Sequence, residues 1–386
     1  MMFEIEEMRS QTARIKVVGV GGAGSNAVNN MIASSLQGVE FITINTDMQS
    51  LETSLAPKKV QIGSSITKGL GAGSNPEIGR QSALEDKNAI AEVLESSDMV
   101  FITAGMGGGT GTGASPVVAS IARELGALTV AVVTKPFFFE AKMRAINAEE
   151  GIRDLKSTVD TIIVIPNDRI SIVVAKDTQL LKSFGVANDV LRQAVQSISD
   201  IILTPGLINV DFADVRTIIQ GAGRAVMGLG VGRGDGGAAE AARKAITNPL
   251  LEDSSIEGAK GILINITGGI NLALSEVQEA ASIIYDAAHE SANIIFGAVI
   301  NPDIEDEVKV TAIATGFEEK KEKIELPQVK KWSPVREPYV LKGSEKLLAK
   351  DIGKGLSLGP LASEVLNYED PLDVPTFIRK APQKTM

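Results

Sequence analysis

The chain has 386 residues, 44% hydrophobic and only 4% aromatic, so its cores must be packed from Val, Ile, Leu and Ala. That length exceeds what one core usually organises, and two folded domains plus extensions are expected. A net charge of −10 argues against a nucleic-acid binder, and the absence of cysteine excludes a disulfide framework and thiolate metal sites. The only histidine, His289, leaves neither a Ser-His-Asp triad nor a histidine metal cluster easy to build, and a surface or helix-end position is expected for it. The first ten residues, interrupted by Glu4, Glu6 and Glu7, do not resemble a signal peptide, and no apolar run is long enough to span a bilayer. The protein is therefore expected to be soluble and cytoplasmic.

Residues 1–13 read as a flexible N-terminal arm. From residue 14 the chain alternates short β-branched runs with longer helical ones. Strands are expected at 15–20, 39–44, 99–103, 128–134 and 161–165, and helices at 26–34, 77–96, 114–125 and 140–157. Strands apolar on both faces and alternating with helices indicate a parallel sheet covered on two sides. This first domain, 14–177, is followed by a long helix at 178–204 that ends at Pro205-Gly206.

A second, smaller α/β domain is expected over 205–317. Its helices are placed at 213–220, 238–246 and 275–290, and its strands at 224–227, 261–267, 293–299 and 308–315. After Gly316 the run Glu-Glu-Lys-Lys-Glu-Lys and scattered Pro, Gly and Ser suggest a disordered linker, 318–371, in which Trp332 has no apolar neighbours to pack on. Order-like sequence returns at Asp373–Lys380, where Phe377 and Ile378 beside Arg379 and Lys380 have the pattern of a partner-binding peptide within 372–386.

Two glycine clusters carry the chemistry. Gly105 to Gly113 holds six glycines in nine positions between a strand and a helix, so it is expected to be a loop that turns backbone N–H groups toward a phosphate at a helix mouth. The helix itself is expected only from Ala114 onward. The second cluster, Gly19-Val20-Gly21-Gly22-Ala23-Gly24-Ser25-Asn26, satisfies G-x-G-x-x-G, and Asp47 lies where a ribose-binding acid is expected. Alone, that fingerprint admits an NAD-dependent oxidoreductase. Two such loops in one parallel sheet look instead like two arms of a polyphosphate cradle. No G-x-x-x-x-G-K-[ST] occurs, which excludes a Walker-type site.

Other motifs stay ambiguous on their residues alone. Gly69 to Pro76 is either a further phosphate contact or an ordinary turn before a helix. Asp211 and Asp214 read most simply as an N-cap and its capping-box partner. Glu140 and Arg144, one helical turn apart, read as a surface ion pair.

Together these residues carry a resemblance. The run Gly107–Gly113 matches the tubulin-superfamily signature G-G-G-T-G-[ST]-G. The segments 19–29, 45–47, 69–76, 134–137, 187–189 and 209–214 resemble the FtsZ family, its bacterial cell-division branch, over residues 14–316 and again at 373–380. The resemblance implies a tubulin-like α/β fold: a parallel-sheet, Rossmann-type GTPase domain joined by a long central helix to a smaller α/β domain. It also implies a GTPase that polymerises head to tail at the mid-cell division ring.

By the same matching, the phosphates of GTP or GDP would meet Gly22, Ala23, Gly24 and Ser25, together with Gly107, Gly108, Gly109, Thr110 and Gly111. Ala72 and Gly73 would meet the γ-phosphate. Glu140 and Arg144 would hold the ribose, and Asn26, Asn167, Phe184, Asn188 and Asp189 the base. Asn209, Asp211 and Asp214 would complete hydrolysis in the pocket of a neighbouring subunit. Mg2+ would be carried mainly by the phosphates and water, with no protein metal site. The implied partners are other copies of the chain and membrane adaptors that bind the C-terminal peptide, with no nucleic acid and no direct membrane insertion. Ala23 and Ser25 depart from a family pattern richer in glycine at those positions.

Overall fold

The computed structural model describes residues 13–173, 178–203, 210–248, 256, 258–302, 304 and 306–317. The arm before residue 13, Asn209, Trp332, the linker and the C-terminal peptide lie outside the described residues.

The first half runs β1 (Ile15–Val20), α1 (Gly21–Ala33), β2 (Val39–Asn45), α2 (Met48–Glu52), β3 (Lys58–Gln61) and α3 (Ser64–Thr67). It continues with α4 (Pro76–Glu85), α5 (Lys87–Leu94), β4 (Met99–Gly105), α6 (Thr110–Glu124) and β5 (Leu128–Lys135). A 3-10 turn at Phe138–Glu140 leads to α7 (Lys142–Thr158), β6 (Thr161–Pro166) and α8 (Asn167–Val173). The long helix α9 (Leu180–Leu203) follows. Then come α10 (Phe212–Ile219), β7 (Gly223–Arg233), α11 (Gly237–Ile246), β8 (Gly261–Gly268), α12 (Leu274–Ala287), β9 (Asn293–Ile300) and β10 (Glu307–Thr315).

The ten strands of the described residues form one sheet in the order β3-β2-β1-β4-β5-β6-β7-β10-β8-β9. It is parallel from β3 to β7, antiparallel on both sides of β10, and parallel again between β8 and β9. The two halves thus meet through more than the long helix. β6 and β7 pair directly at Thr161–Gly223, Ile162–Arg224 and Ile163–Ala225.

Alternation with period two distributes the strands of the first half between two cores. Val17, Met99, Phe101, Val130 and Val132 pack against α1 and α9. Val18, Val20, Val100, Ile102, Ala131 and Val133 face the α4–α7 side. The α9 residues Leu191, Ala194, Val195, Ile198 and Ile201 share the first of these cores with Met227, Leu263 and Ile313 from the second half, so one helix serves both.

Several boundaries differ from the sequence expectation, each for a local reason. Helices α1 and α6 start at Gly21 and Thr110, so glycines expected in loops form first helical turns instead. They do so because those turns press on neighbouring backbone. A Cβ at Gly24 would strike the Thr103 carbonyl, and one at Gly113 would strike the Pro76 carbonyl. The helix expected over 77–96 divides at Asp86, whose carboxylate accepts the Gly63 N–H at 2.7 Å. Helix α12 stops at Ala287, leaving His289 exposed in a turn where its Nδ1 accepts the Ser291 N–H.

Strand β7 runs on to Arg233, well past Met227, through Gly228, Gly230 and Gly232. These glycines share one face of the strand, and a Cβ on any of them would collide with a carbonyl of α11, at Ala245, Ala241 and Gly237 respectively. Their lack of side chain, which hides the strand in the sequence, is what lets α11 lie on it.

Gly230→Ala should therefore cost at least about 2 kcal/mol in denaturant unfolding, since the obstacle is backbone and cannot rotate away. Gly185→Ala, in α9 with nothing within 4 Å of the added Cβ, should be neutral or stabilising by about 0.5–1 kcal/mol. Equal effects at the two positions would refute the packing argument.

A pH effect is expected from Asp200 in α9. Burial raises its pKa from 3.8 to about 6, against the hydrogen bond from Gln196 and the charge of Arg192. A carboxyl that binds its proton more tightly when folded adds stability below the unfolded pKa and loses it as pH rises through the folded one. Unfolding free energy should thus fall between about pH 4 and pH 6 from this group, and Asp200→Asn should flatten that part of the stability–pH curve.

Candidate nucleotide site

The site lies at the carboxyl ends of the strands, where the strand order reverses between β1 and β4, the usual crevice of an open parallel sheet. Glycine brings its loops together. Gly21, with φ +72°, lies so close to α6 that a Cβ would stand 2.8 Å from the Gly111 nitrogen. A Cβ on Gly105 would be 2.6 Å from that of Ala23, and one on Gly109 would be 2.8 Å from Ala72 Cβ and 2.9 Å from the Asn75 nitrogen. Gly107, at φ +101°, donates its N–H to Thr112 Oγ1 at 2.8 Å, which pins the signature turn from within. The hydroxyls of Thr110 and buried Thr46 lie 2.7 Å apart.

The first turns of α1 and α6 consequently open on one cavity of about 550 Å³. Neither helix has a side-chain N-cap or an acidic residue in its first turn, so their leading N–H groups remain available. Two uncapped helix starts side by side form an anion site, since free donors and the positive ends of two dipoles point the same way. Gly22 and Gly108 line the cavity with nothing within 4 Å of an added Cβ. Their bareness serves the cavity rather than the packing.

The opposite end of the cavity has a different chemistry. Phe184 meets Phe137 edge to face at 5.3 Å, and Phe137 stacks on Phe139 at 5.0 Å. Asn167, 5% exposed, lines the wall with an Oδ1 that has no partner. Glu140 and Arg144 form an ion pair at 2.5 Å between the two ends. A ligand that fits is anionic at one end and flat and polar at the other, as a nucleotide is.

Comparison with known proteins agrees with this geometry. The Tubulin/FtsZ family GTPase-domain model matches residues 14–175, and the FtsZ family C-terminal-domain model matches residues 223–318. An empty FtsZ dimer from M. jannaschii is 44% identical, with a TM-score of 0.76 over 80% of this chain and 89% of that one. The chain belongs to the FtsZ family.

A tryptophan-to-tyrosine mutant of M. jannaschii FtsZ gives the same identity and TM-score over 79% of this chain and 92% of that one. CetZ2 from Haloferax volcanii, solved as a GTPγS-bound protofilament, shares the fold at 18% identity and a TM-score of 0.68, over 80% of this chain and 94% of that one. The chain is thus an FtsZ/tubulin-type GTPase, of a family that binds GTP and GDP.

Within this FtsZ-family cavity, the residues named from the signature loops that form the wall are Gly22, Ala23, Gly108, Gly109, Thr110 and Gly111. Asn26 and Ala72 join them, as do Glu140, Arg144, Asn167, Phe184 and Asn188. Five others stand behind or beside the wall. Gly24 packs on β4, and buried Ser25 donates to the Gly21 carbonyl at 2.9 Å. The Gly107 N–H is taken by Thr112. Gly73, at φ +57°, has nothing within 4 Å of an added Cβ. The carboxylate of Asp189 accepts from Arg192 Nε at 2.7 Å and Gln193 Nε2 at 2.5 Å along α9.

Sequence reasoning assigned no role to Asn45, Thr134 or Pro136, which also line the cavity, as do Gly71 and Ser74 of the 69–76 loop that it left between a phosphate contact and an ordinary turn. Their segments carried the family resemblance, but nothing in their residue types distinguished lining from scaffold. Asp47, read from the fingerprint as a ribose-binding acid, stands beside Gly71 at the phosphate end and caps α2 by accepting the Gln49 N–H at 3.0 Å.

Asp211 and Asp214 do not line this cavity. Asp211 occupies the N-cap position of α10 but makes no side-chain cap bond, and both residues are exposed. The capping-box reading of the pair is therefore not what the structure shows. α10 is tied to the starts of strands whose far ends reach the cavity: the Ile219 carbonyl accepts from Thr161 at the head of β6, and Arg216 donates to the Gly126 carbonyl ahead of β5. Val210 lies beside Ile201 of α9 around Gly297, and Ile201 is about 20 Å along the helix from cavity-lining Asn188.

Gly22→Ala and Gly108→Ala should leave the melting temperature unchanged while weakening guanine-nucleotide affinity about tenfold or more, because the methyl occupies ligand space. Gly113→Ala should instead destabilise the fold, its Cβ striking the Pro76 carbonyl. Unaltered nucleotide affinity in both of the first two variants would show that the phosphates do not lie on these turns.

Proposed function

We propose that this chain binds GTP in the cavity, polymerises head to tail, and hydrolyses GTP when segment 209–214 of one subunit enters the cavity of the next. The filament would form the division ring at mid-cell, in the cytoplasm beneath the membrane, as the bacterial members do. The observation that carries this reading is the separation of the anion cavity from a pair of exposed carboxylates. The two carboxylates that line the anion cavity at one end of α9 are engaged within the chain, Asp47 as the cap of α2 and Glu140 with Arg144, and two exposed carboxylates stand near the other end of α9. A rigid core between them leaves a second copy as the route by which they meet. The M. jannaschii dimer and the Haloferax protofilament are consistent with self-association.

In such a contact Asp211 and Asp214 orient and polarise water toward the terminal phosphate, while Asn209 supports the phosphate end. The N–H groups of Gly22, Gly108 and Gly109 stabilise charge on the phosphates. This is catalysis by positioning and electrostatics. Mg2+ would take its ligands mainly from phosphates and water and would offset the phosphate charge.

Guanine would be read at the Phe184 end. There its N1–H and exocyclic amine compete with Arg192 and Gln193 for Asp189. Phe377 and Ile378 of the C-terminal peptide would anchor a membrane adaptor. Among the described residues no helix is long and apolar enough to cross a membrane itself.

Phosphate release measured across protein concentration, with light scattering in parallel, tests the reading. Activity per subunit should be near zero when dilute and rise above an assembly threshold. Asp214→Ala should bind GTP normally but release phosphate about 10²–10⁴ times more slowly, giving longer-lived filaments. Constant specific activity in fully dissociated protein would overturn hydrolysis in trans.

A further inference from the structure

Helix α7 begins at the nucleotide cavity, which its Arg144 lines, and buried Ala148 and Leu155 hold it in the core on the α4–α7 side of the sheet. Arg144, Asn147 and Gly151, spaced three and four apart, follow one face of the helix. That face meets the signature loop and the 69–76 loop. A Cβ on Gly107 would stand 2.7 Å from the Arg144 carbonyl oxygen, and Asn147 Nδ2 reaches the Ser74 carbonyl at 3.5 Å. At Gly151 the helix presses on α6, where an added Cβ would lie 2.3 Å from Thr112 Cγ2 and 3.5 Å from the Thr112 carbonyl oxygen.

Thr112 has no free direction in which to move aside. It is 2% exposed, and its Oγ1 accepts the Gly107 N–H at 2.8 Å. Hydroxyl and methyl share one Cβ, so turning the side chain to withdraw the methyl from α7 also swings the hydroxyl off Gly107. The turn at Gly107, with φ +101°, then loses the bond that fixes it, and it leads directly into Gly108 and Gly109 of the cavity wall. A bare residue at 151 is what lets Thr112 hold the turn and lie against α7 at the same time. Local preference gives no reason for a glycine inside a 17-residue helix, whereas this contact does.

We infer that Gly151 is a positioning residue for the nucleotide: acting through Thr112, it sets the signature turn whose N–H groups face the phosphates. The inference rests on the reading of the cavity as a guanine-nucleotide site. The turn serves the phosphate chain as a whole, so diphosphate and triphosphate should respond together.

The test measures binding of GDP and of a non-hydrolysable methylene-bridged GTP to the full chain, well below its melting temperature. Gly151→Ala should weaken both about tenfold or more. Adding Thr112→Ser, which deletes the obstructing methyl and keeps the hydroxyl, should return both to within about threefold of wild type. Gly230→Ala, which crowds a helix remote from the cavity, should lower the melting temperature yet leave both affinities within about twofold. Should Gly151→Ala fail to fold, Thr112→Val, which keeps the methyl and removes the acceptor, should weaken both nucleotides about tenfold. Unchanged affinity in Gly151→Ala or in Thr112→Val, a loss that Thr112→Ser does not recover, or an equal loss in Gly230→Ala would overturn the role of Gly151 while leaving the cavity as the nucleotide site. A wild-type chain that binds neither nucleotide would overturn both.

Discussion

The contact between the first turns of α1 and α6 is the constraint on which the rest of the site depends. Backbone meets backbone there, with no side chain between Gly21 and Gly111, and Gly109 extends the contact to Ala72 and Asn75. Glycine in a helix is unfavourable by roughly 0.5–1 kcal/mol against alanine, so such helix starts do not form from local preference. They form because α4, α6 and the sheet close tightly around them. The result is a pair of helix ends whose donors converge on one space and are not consumed by caps. An anion site of this kind needs no lysine or arginine at its floor, which fits a chain without a P-loop lysine.

The same feature explains what the sequence disclosed and what it concealed. Strands β1, β4, β5 and β6 are legible because each is apolar on both faces, the pattern of a sheet covered on two sides. Beyond Met227 strand β7 is illegible because Gly228, Gly230 and Gly232 offer no side-chain pattern, and their function is to let α11 approach. The glycine loops announce a phosphate site through composition, yet composition cannot show that half of each loop is helix. Nor can it separate Gly22, which faces the cavity, from Gly24, which faces Thr103. That distinction depends on the angle at which α1 leaves β1, and the angle is set by tertiary contact.

The base end was less legible for a related reason. Asn167 looks like an ordinary polar residue at a helix start, and its importance lies in an atom that the fold leaves unpaired. Sequence lists donors and acceptors, whereas satisfaction is a property of the folded chain. Asp189 illustrates the converse. Its charge marks it as a candidate for guanine, but the fold gives that charge partners on its own helix, and a base would have to compete with them.

Helix α9 turns these local arrangements into a directional molecule. Its 24 residues span about 36 Å, with Phe184 and Asn188 at the cavity end and Ile201 near the start of α10 at the other. Its apolar face is shared by the cores of both halves, so it cannot bend to bring the ends together without opening both. On the proposed reading, this stiffness is the reason hydrolysis waits for assembly. Each subunit holds a nucleotide at one end and a carboxylate pair toward the other, at a separation fixed by the length of one helix. On the same reading, a head-to-tail neighbour closes that gap. A site completed this way couples nucleotide turnover to the polymer contact itself, because the contact that adds a subunit is the one that brings water and carboxylate to the terminal phosphate.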